Sequence, residues 1–154
     1  MCSSDLTPSG PSGGGPATTA SPADLNKNVP VDAPGVSDTE IKVDVITAKT
    51  NNPTGSYAPL VAGIKAYFNY RNTENNGIYG RKLVVGKDLD DQLGSNAQRV
   101  KESLAQSPGF ATFVATPLFT GADDLARAKQ PTFIWNINPE FAGHPTFFAN
   151  SGAL

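Results

Sequence analysis

From residue 35 onward, short apolar runs alternate with amphipathic stretches. Ile41 to Ile46 is rich in β-branched residues and bounded by turn formers, which predicts a first strand. Apolar residues at helical spacing predict a helix from Tyr57 to about Asn72, with Ser56 as its N-cap. The other predicted elements are strands at 82–85, 110–115 and 132–135, helices at about 95–106 and 121–129, and a closing strand at 147–149.

This alternation predicts the α/β class, as a doubly wound parallel sheet with helices on both faces. Short connections between successive strands and helices favour that arrangement because crossovers between parallel strands are right-handed. Lys42 and Asp44 fit poorly in the first strand, since a central parallel strand is normally almost continuously apolar. We expect them to lie near the strand ends or on a partly open face.

Composition divides the chain into two parts. Residues 1–34 are rich in Ser, Pro and Gly and predict a disordered tether, whereas residues 35–154 can form one hydrophobic core. The 12 basic and 14 acidic residues nearly cancel and form no basic cluster, which argues against a nucleic-acid partner. No apolar run is long enough to span a bilayer. Cys2 is the only cysteine, so an internal disulfide is excluded.

The loops after the predicted strands are the candidate binding site, because ligands of open parallel sheets bind at the carboxyl ends of the strands. These loops, at 47–57, 116–120 and 136–141, carry short hydrogen-bonding side chains suited to a small polar solute. The side chains are Thr47, Thr50, Asn51, Ser56, Thr116, Thr120, Asn136 and Asn138.

Signatures of catalysis are lacking, so the sequence predicts no enzyme, cofactor or metal site. Neither a phosphate loop nor a dinucleotide fingerprint is present, and the lone His144 is expected to serve in packing or at the surface. Asp88, Asp90 and Asp91 match no metal-binding loop, and we expect them to cap the helix that starts at Ser95. A phosphorelay receiver would need acidic residues at the end of the first strand, where Val45, Ile46 and Thr47 stand.

Four segments of the folded part have a familiar sequence, namely residues 35–43, 63–68, 76–83 and 136–141. Together they resemble the opening lobe of type I periplasmic binding proteins, above all the branched-chain amino acid substrate-binding lipoproteins of ABC importers. The most specific is the Asn-Gly-Ile-Tyr-Gly-Arg-Lys turn at 76–82, whose glycines are expected to adopt positive φ. Cys2 followed by a polar tether likewise resembles the start of a mature, lipidated bacterial lipoprotein.

The resemblance implies an extracytoplasmic protein, tethered to the membrane through lipidated Cys2, that closes two lobes on a solute and delivers it to an ABC permease. This chain would be a truncated first lobe without the second. Leu118 and Phe119 replace the serines usual after the third strand, which leaves amides and aromatic acids open as ligands beside amino acids. The predicted ligand-binding residues are Thr47, Ser56, Tyr57, Thr116, Leu118, Phe119, Asn136 and Asn138.

Two alternatives remain open at the level of sequence. An extracellular sensor domain of a signalling system would use the same fold and the same kind of binding site. A small α/β enzyme would need catalytic residues from a missing segment or from another chain.

Overall fold

The computed structural model describes residues 27–135 and 139–149, in which strands and helices alternate. No helix within these ranges is both long and apolar enough to cross a membrane. In chain order the elements are β1 (Glu40–Thr47), α1 (Ala58–Glu74), β2 (Lys82–Asp90), α2 (Asn96–Leu104), β3 (Ala111–Ala115), α3 (Ala122–Arg127), β4 (Thr132–Ile134), a 3₁₀ helix (Pro139–Phe141) and β5 (Phe147–Ala149).

The five strands form one parallel sheet in the order β2-β1-β3-β4-β5. Helix α1 covers part of one face, where Phe68 packs against Val43 of β1. Helices α2 and α3 cover the other face, where Val100 and Leu125 join Ile46 in a second cluster. The arrangement confirms the predicted doubly wound α/β fold.

Strand β2 is longer than the sequence pattern predicted. It was expected to end at Val85, but it continues to Asp90 because a bulge opposite Asp44 lets its polar second half keep pairing with β1. β2 lies at one edge of the sheet, where charged side chains reach solvent and also discourage pairing with other chains. Asp88 is therefore a strand residue, and its carboxylate forms ion pairs with Lys49 and Lys65.

The poor fit of Lys42 and Asp44 has two different explanations. Lys42 is exposed near the start of β1, as expected. Asp44 is only 1% exposed, and its carboxylate accepts hydrogen bonds from the Lys87 amide at 2.9 Å, the Ser103 hydroxyl at 2.7 Å and the Gly109 amide at 3.3 Å. A Cβ at residue 109 would lie 2.9 Å from the Asp44 nitrogen, so glycine is required there. Asp44 thus joins β1, β2 and α2 through buried polar contacts.

The turn before β2 has the predicted backbone conformation. Gly77 and Gly80 have φ values of 79° and 76°, and a Cβ at residue 77 would lie 1.8 Å from the Arg81 carbonyl oxygen. Arg81 is 2% exposed and donates hydrogen bonds to the carbonyl oxygens of Ser37 and Val29. Because Val29 precedes residue 35, the predicted start of the domain, contacts with the folded part extend into the segment predicted as tether.

Candidate functional site

The carboxyl ends of β1, β2 and β3 lie side by side and, with the loops that follow them, form what we call the carboxyl edge. Thr47, the last residue of β1, is in register with Asp90 of β2 and Ala115 of β3. The chain passes from β1 to β2 on one side and then crosses to β3 on the other. The strand order therefore reverses around β1, the position where parallel sheets bind ligands.

Asp90 fixes the loop after β1. Its carboxylate accepts hydrogen bonds from the Lys49 amide at 3.0 Å, the Thr50 amide at 3.3 Å, the Thr50 hydroxyl at 2.6 Å and the Gln92 amide at 3.0 Å. Burial raises the pKa of this carboxyl, but the hydrogen bonds from Thr50, Gln92 and Lys49 outweigh burial and lower the pKa to about 2. At neutral pH the ionised carboxylate holds the loops after β1 and β2 together.

Asp88 adds a second electrostatic link between β2 and its surroundings. Burial raises the pKa of the Asp88 carboxyl, but hydrogen bonds and charge attraction from Lys49 and Lys65 have the larger combined effect and lower it. Lys49 Nζ lies 2.6 Å from one carboxylate oxygen and Lys65 Nζ lies 3.4 Å from the other. The pair with Lys49 ties the start of the loop after β1 to the edge strand.

Asn96, at the start of α2, fixes the loop after β3. Asn96 is only 2% exposed. Its side-chain oxygen accepts hydrogen bonds from the Thr120 amide at 2.8 Å and from the Thr120 hydroxyl at 2.6 Å. Its side-chain nitrogen donates a hydrogen bond to the Leu118 carbonyl. Both neighbouring loops are thus held by buried or half-buried side chains. Such loops keep their polar groups in place without a ligand, which reduces the entropy lost on binding.

Four buried side-chain atoms of the described residues have no hydrogen-bond partner, and all four belong to the carboxyl edge. They are Thr47 Oγ1, Asn52 Nδ2, Asp91 Oδ2 and Thr116 Oγ1. Thr47 ends β1, Asn52 lies in the following loop, and Asp91 and Thr116 directly follow β2 and β3. A buried polar group without a partner costs about 1–3 kcal/mol, so four such groups at one edge of the sheet make this edge the candidate place for a bound molecule or water.

The structure brings some predicted ligand residues to this edge and gives others different surroundings. Thr47 ends β1 and Thr116 directly follows the neighbouring strand β3, and both hydroxyls have no hydrogen-bond partner among the described residues. Leu118 is 63% exposed, whereas Phe119 packs against the core cluster of α2 and α3. Asn136 and Asn138 lie outside the described residues, as does the predicted lipid anchor Cys2.

Two expectations about capping are wrong. Helix α1 begins at Ala58 with Tyr57 in the N-cap position, and the Ser56 hydroxyl accepts a hydrogen bond from the Ala58 amide at 3.2 Å without being the cap. The carboxylates of Asp88, Asp90 and Asp91 do not cap α2. Ser95 is the N-cap residue of this helix, and no side chain forms a capping hydrogen bond there. The longer β2 explains the second error, because it directs Asp88 and Asp90 towards groups beside β1.

Asn52 and Asp91 were not predicted as ligand residues. The Asp91 carboxylate is 0% exposed and uses one oxygen to accept the Leu93 amide at 2.9 Å, which leaves the other without a partner. Asn52 uses its side-chain oxygen to accept the Thr54 amide and hydroxyl. Asn52 could have been predicted from the sequence, since it lies in the candidate binding loop at 47–57. Asp91 could not, because no local pattern indicated that β2 ends at Asp90.

The described residues form no metal site at this edge, and His144 has a separate, local role. Within the described ranges, no three His, Cys, Asp or Glu side chains come together as a metal site. The His144 ring packs edge-on against Phe147 with centroids 5.2 Å apart, and its Nδ1 contacts the Thr146 hydroxyl at 3.1 Å. His144 is thus engaged in local packing, as its isolation in the sequence suggested.

Comparisons with known proteins identify no relative: no family model, curated protein or solved structure matches the chain.

Proposed function

We propose that this chain is the first lobe of an extracytoplasmic solute-binding protein, which captures a small polar molecule at the carboxyl edge. The observation that carries the proposal is that the unpartnered buried atoms of the described residues, at Thr47, Asn52, Asp91 and Thr116, all belong to the carboxyl edge. Their position where the strand order reverses agrees with the general location of ligands in open parallel sheets. The resemblance to amino acid-binding lipoproteins supports the same assignment.

The unpartnered groups indicate the chemistry of the ligand. The Asn52 amide nitrogen donates a hydrogen bond, the Asp91 carboxylate oxygen accepts one, and the two threonine hydroxyls do either. A molecule with both a carboxylate or carbonyl and an ammonium or amide N–H satisfies this set. An amino acid or a small amide is therefore the proposed ligand class.

The rest of the proposed system follows from the resemblance. A second lobe would close over the ligand, an ABC permease would receive it, and lipidated Cys2 would keep the protein at the membrane. One lobe supplies only part of such a site. Since each hydrogen bond contributes about 1 kcal/mol, losing several contacts weakens binding by powers of ten, and we expect dissociation constants of about 1 mM or above for this chain.

Binding of this strength is best measured by NMR titration of the ¹⁵N-labelled chain with amino acids, carboxylic acids and amides at up to tens of millimolar. We expect at least one compound to shift the backbone amides of residues 47–57, 91–96 and 116–121 together. Thr47→Val and Thr116→Val should weaken those shifts, because each replaces a hydroxyl by a methyl group of similar size. Thr39→Val is the matched control, since Thr39 is exposed just before β1, at the opposite end of the strand.

The proposal fails if no compound shifts these three segments together, or if the shifts occur equally in Thr47→Val, Thr116→Val and Thr39→Val. Turnover of ester or phosphate reporter substrates that survives repurification would instead favour an enzyme.

A further inference from the structure

One half of the sheet is covered on a single face among the described residues. Helices α2 and α3 pack on one side of the sheet, while on the opposite side α1 packs over β1 and β2 and against Phe113 of β3. The part of that side formed by β3, β4 and β5 carries Phe113, Phe133 and Phe148, which are in register on adjacent strands. Parallel sheets are usually buried on both faces, so this surface calls for a covering partner.

The three phenylalanines form a continuous aromatic row. The ring centroids of Phe113 and Phe133 are 4.9 Å apart, and those of Phe133 and Phe148 are 5.2 Å apart, with nearly parallel planes in both pairs. Phe133 is 39% exposed and Phe148 is 49% exposed. Stacking fixes the row as a rigid apolar ridge.

A cavity of about 410 Å³ lies beside this ridge and shares Phe113 and Phe133 with it. Its other walls come from α1, the turn before β2 and the start of β3, including Tyr67, Tyr79 and Phe110. Apart from Arg81, whose guanidinium donates to backbone carbonyls, its lining residues carry no charge. An apolar cavity of about 150 Å³ already holds a benzene ring, so this cavity has room for an aromatic side chain.

We infer that a second copy of this chain covers this surface, which we call the aromatic face: Ile78 and the aromatic residues 67, 79, 110, 113, 133 and 148. In a two-fold arrangement, the phenylalanine ridge of each copy would enter the cavity of the other. At the two-fold axis of such an interface, a residue lies near its own counterpart, so a charged side chain there would be repelled by its copy. The absence of charged side chains from the aromatic face suits this arrangement.

The exposed area is sufficient for such a contact. Six side chains of the aromatic face expose between 36% and 59% of their surface. With about 200 Å² for a whole aromatic side chain, they present roughly 500 Å² per copy. Burying all of this surface in two copies would remove about 1,000 Å² from solvent, which is the lower bound for a specific interface.

Analytical ultracentrifugation of the full chain tests this inference. The chain should carry Cys2→Ser, so that no disulfide links two copies. We expect a reversible monomer–dimer equilibrium over roughly 1–100 µM. Tyr67→Lys and Phe148→Lys, each confirmed as folded by circular dichroism, should raise the dissociation constant at least tenfold. Leu118→Lys is the control, since Leu118 is 63% exposed outside the aromatic face and should leave the constant unchanged.

Three results would overturn the inference: a monomer at every concentration, a dimer that resists both lysine substitutions, or open-ended aggregation without a discrete dimer. A monomer that retains an apolar compound, detected by mass spectrometry of the purified protein, would assign the cavity to a small ligand instead. Because these outcomes concern the aromatic face, they are independent of solute binding at the carboxyl edge.

Discussion

For individual residues, the role of a buried polar side chain depends on its hydrogen-bond partners more than on its residue type. Thr47, the last residue of β1, and Thr132, the first residue of β4, are both 0% exposed and belong to the same sheet. The Thr132 hydroxyl donates to the Gln130 carbonyl at 2.9 Å, whereas the Thr47 hydroxyl has no partner among the described residues. The Thr132 hydroxyl therefore stabilises the fold through its hydrogen bond, whereas the proposed function assigns the Thr47 hydroxyl to a ligand.

Substituting each of these threonines by valine should therefore have opposite effects on stability. Thr132→Val removes a buried hydrogen bond and leaves a carbonyl without its donor, so the free energy of unfolding should fall by about 1 kcal/mol. Thr47→Val removes an unsatisfied hydroxyl, so the free energy of unfolding should stay constant or rise by up to about 1 kcal/mol. Urea denaturation measures both values.

One result for these two variants would contradict the prediction. If Thr47→Val destabilises the protein as much as Thr132→Val does, the Thr47 hydroxyl has a structural partner and its assignment to a ligand site is lost.

At the scale of elements, charged side chains connect neighbouring secondary structures. Lys87 Nζ lies between 2.6 and 3.1 Å from the carbonyl oxygens of Glu102, Ser103, Ala105 and Gln106, so its three N–H groups cap the carboxyl end of α2. A cation in this position also interacts favourably with the helix dipole. Asp90 connects the carboxyl end of β2 to the loop after β1. The second half of the edge strand thus anchors a helix through Lys87 and the candidate site through Asp90.

The Asp90 contacts predict a specific dependence of stability on pH. The pKa of Asp90 is about 2 in the folded protein, below the value of about 3.9 in an unfolded chain. Folding therefore favours the ionised form, and its stabilising effect is present above about pH 4 and is lost as the pH falls towards 2. Solvent around this half-buried group keeps the effect modest.

Urea midpoints between pH 2 and pH 6 provide the measurement. The wild-type chain should lose more stability over this range than Asp90→Asn, which cannot ionise. Asp38→Asn, at an exposed position before β1, is the control and should follow the wild type. Equal pH dependence in the wild type and Asp90→Asn would show that the carboxylate contacts contribute nothing to folding.

At the scale of the whole molecule, the folded unit includes part of the segment predicted as tether. Asn28 donates to the Asp38 carbonyl at 2.6 Å, and Val29 accepts from the buried Arg81 guanidinium at 2.7 Å. A charged donor that loses its acceptor inside a protein is costly. Residues 28 and 29 thus contribute to the fold, although their local composition is typical of a linker.

Two truncations locate this boundary. Removing residues 1–26 should leave the thermal midpoint unchanged, because this polar, Gly- and Pro-rich segment has little apolar surface to bury. Removing residues 1–34 should lower the midpoint by several degrees, since a loss of about 1–3 kcal/mol shifts the midpoint of a domain of this size by a few degrees per kcal/mol.

Circular dichroism melts of the two shortened chains beside the full chain test this. Identical midpoints for both truncations would place the boundary at residue 35, as the sequence suggested. A non-cooperative melt of the full chain would show that the predicted domain, residues 35–154, does not fold as a self-sufficient unit.

Local patterns in the sequence were enough to predict the α/β class and the order of the elements. Periodicity, turn formers and glycines at forced positive φ are local properties, so the alternation of strands and helices, the closing strand and the turn at 76–82 could all be predicted from the chain. The loops that contain the candidate site followed from the fold class alone. Thr47 and Thr116 were predicted as ligand residues in this way.

Which polar groups are satisfied and which surfaces are covered depends on the tertiary structure. The length of β2, the burial of Asp44 among three donors and the orphaned oxygen of Asp91 depend on residues distant in sequence. The aromatic row likewise exists only because the register places Phe113, Phe133 and Phe148 side by side. Hydrogen bonding and packing depend on which strands and helices become neighbours, and local patterns along the chain do not encode those partners directly.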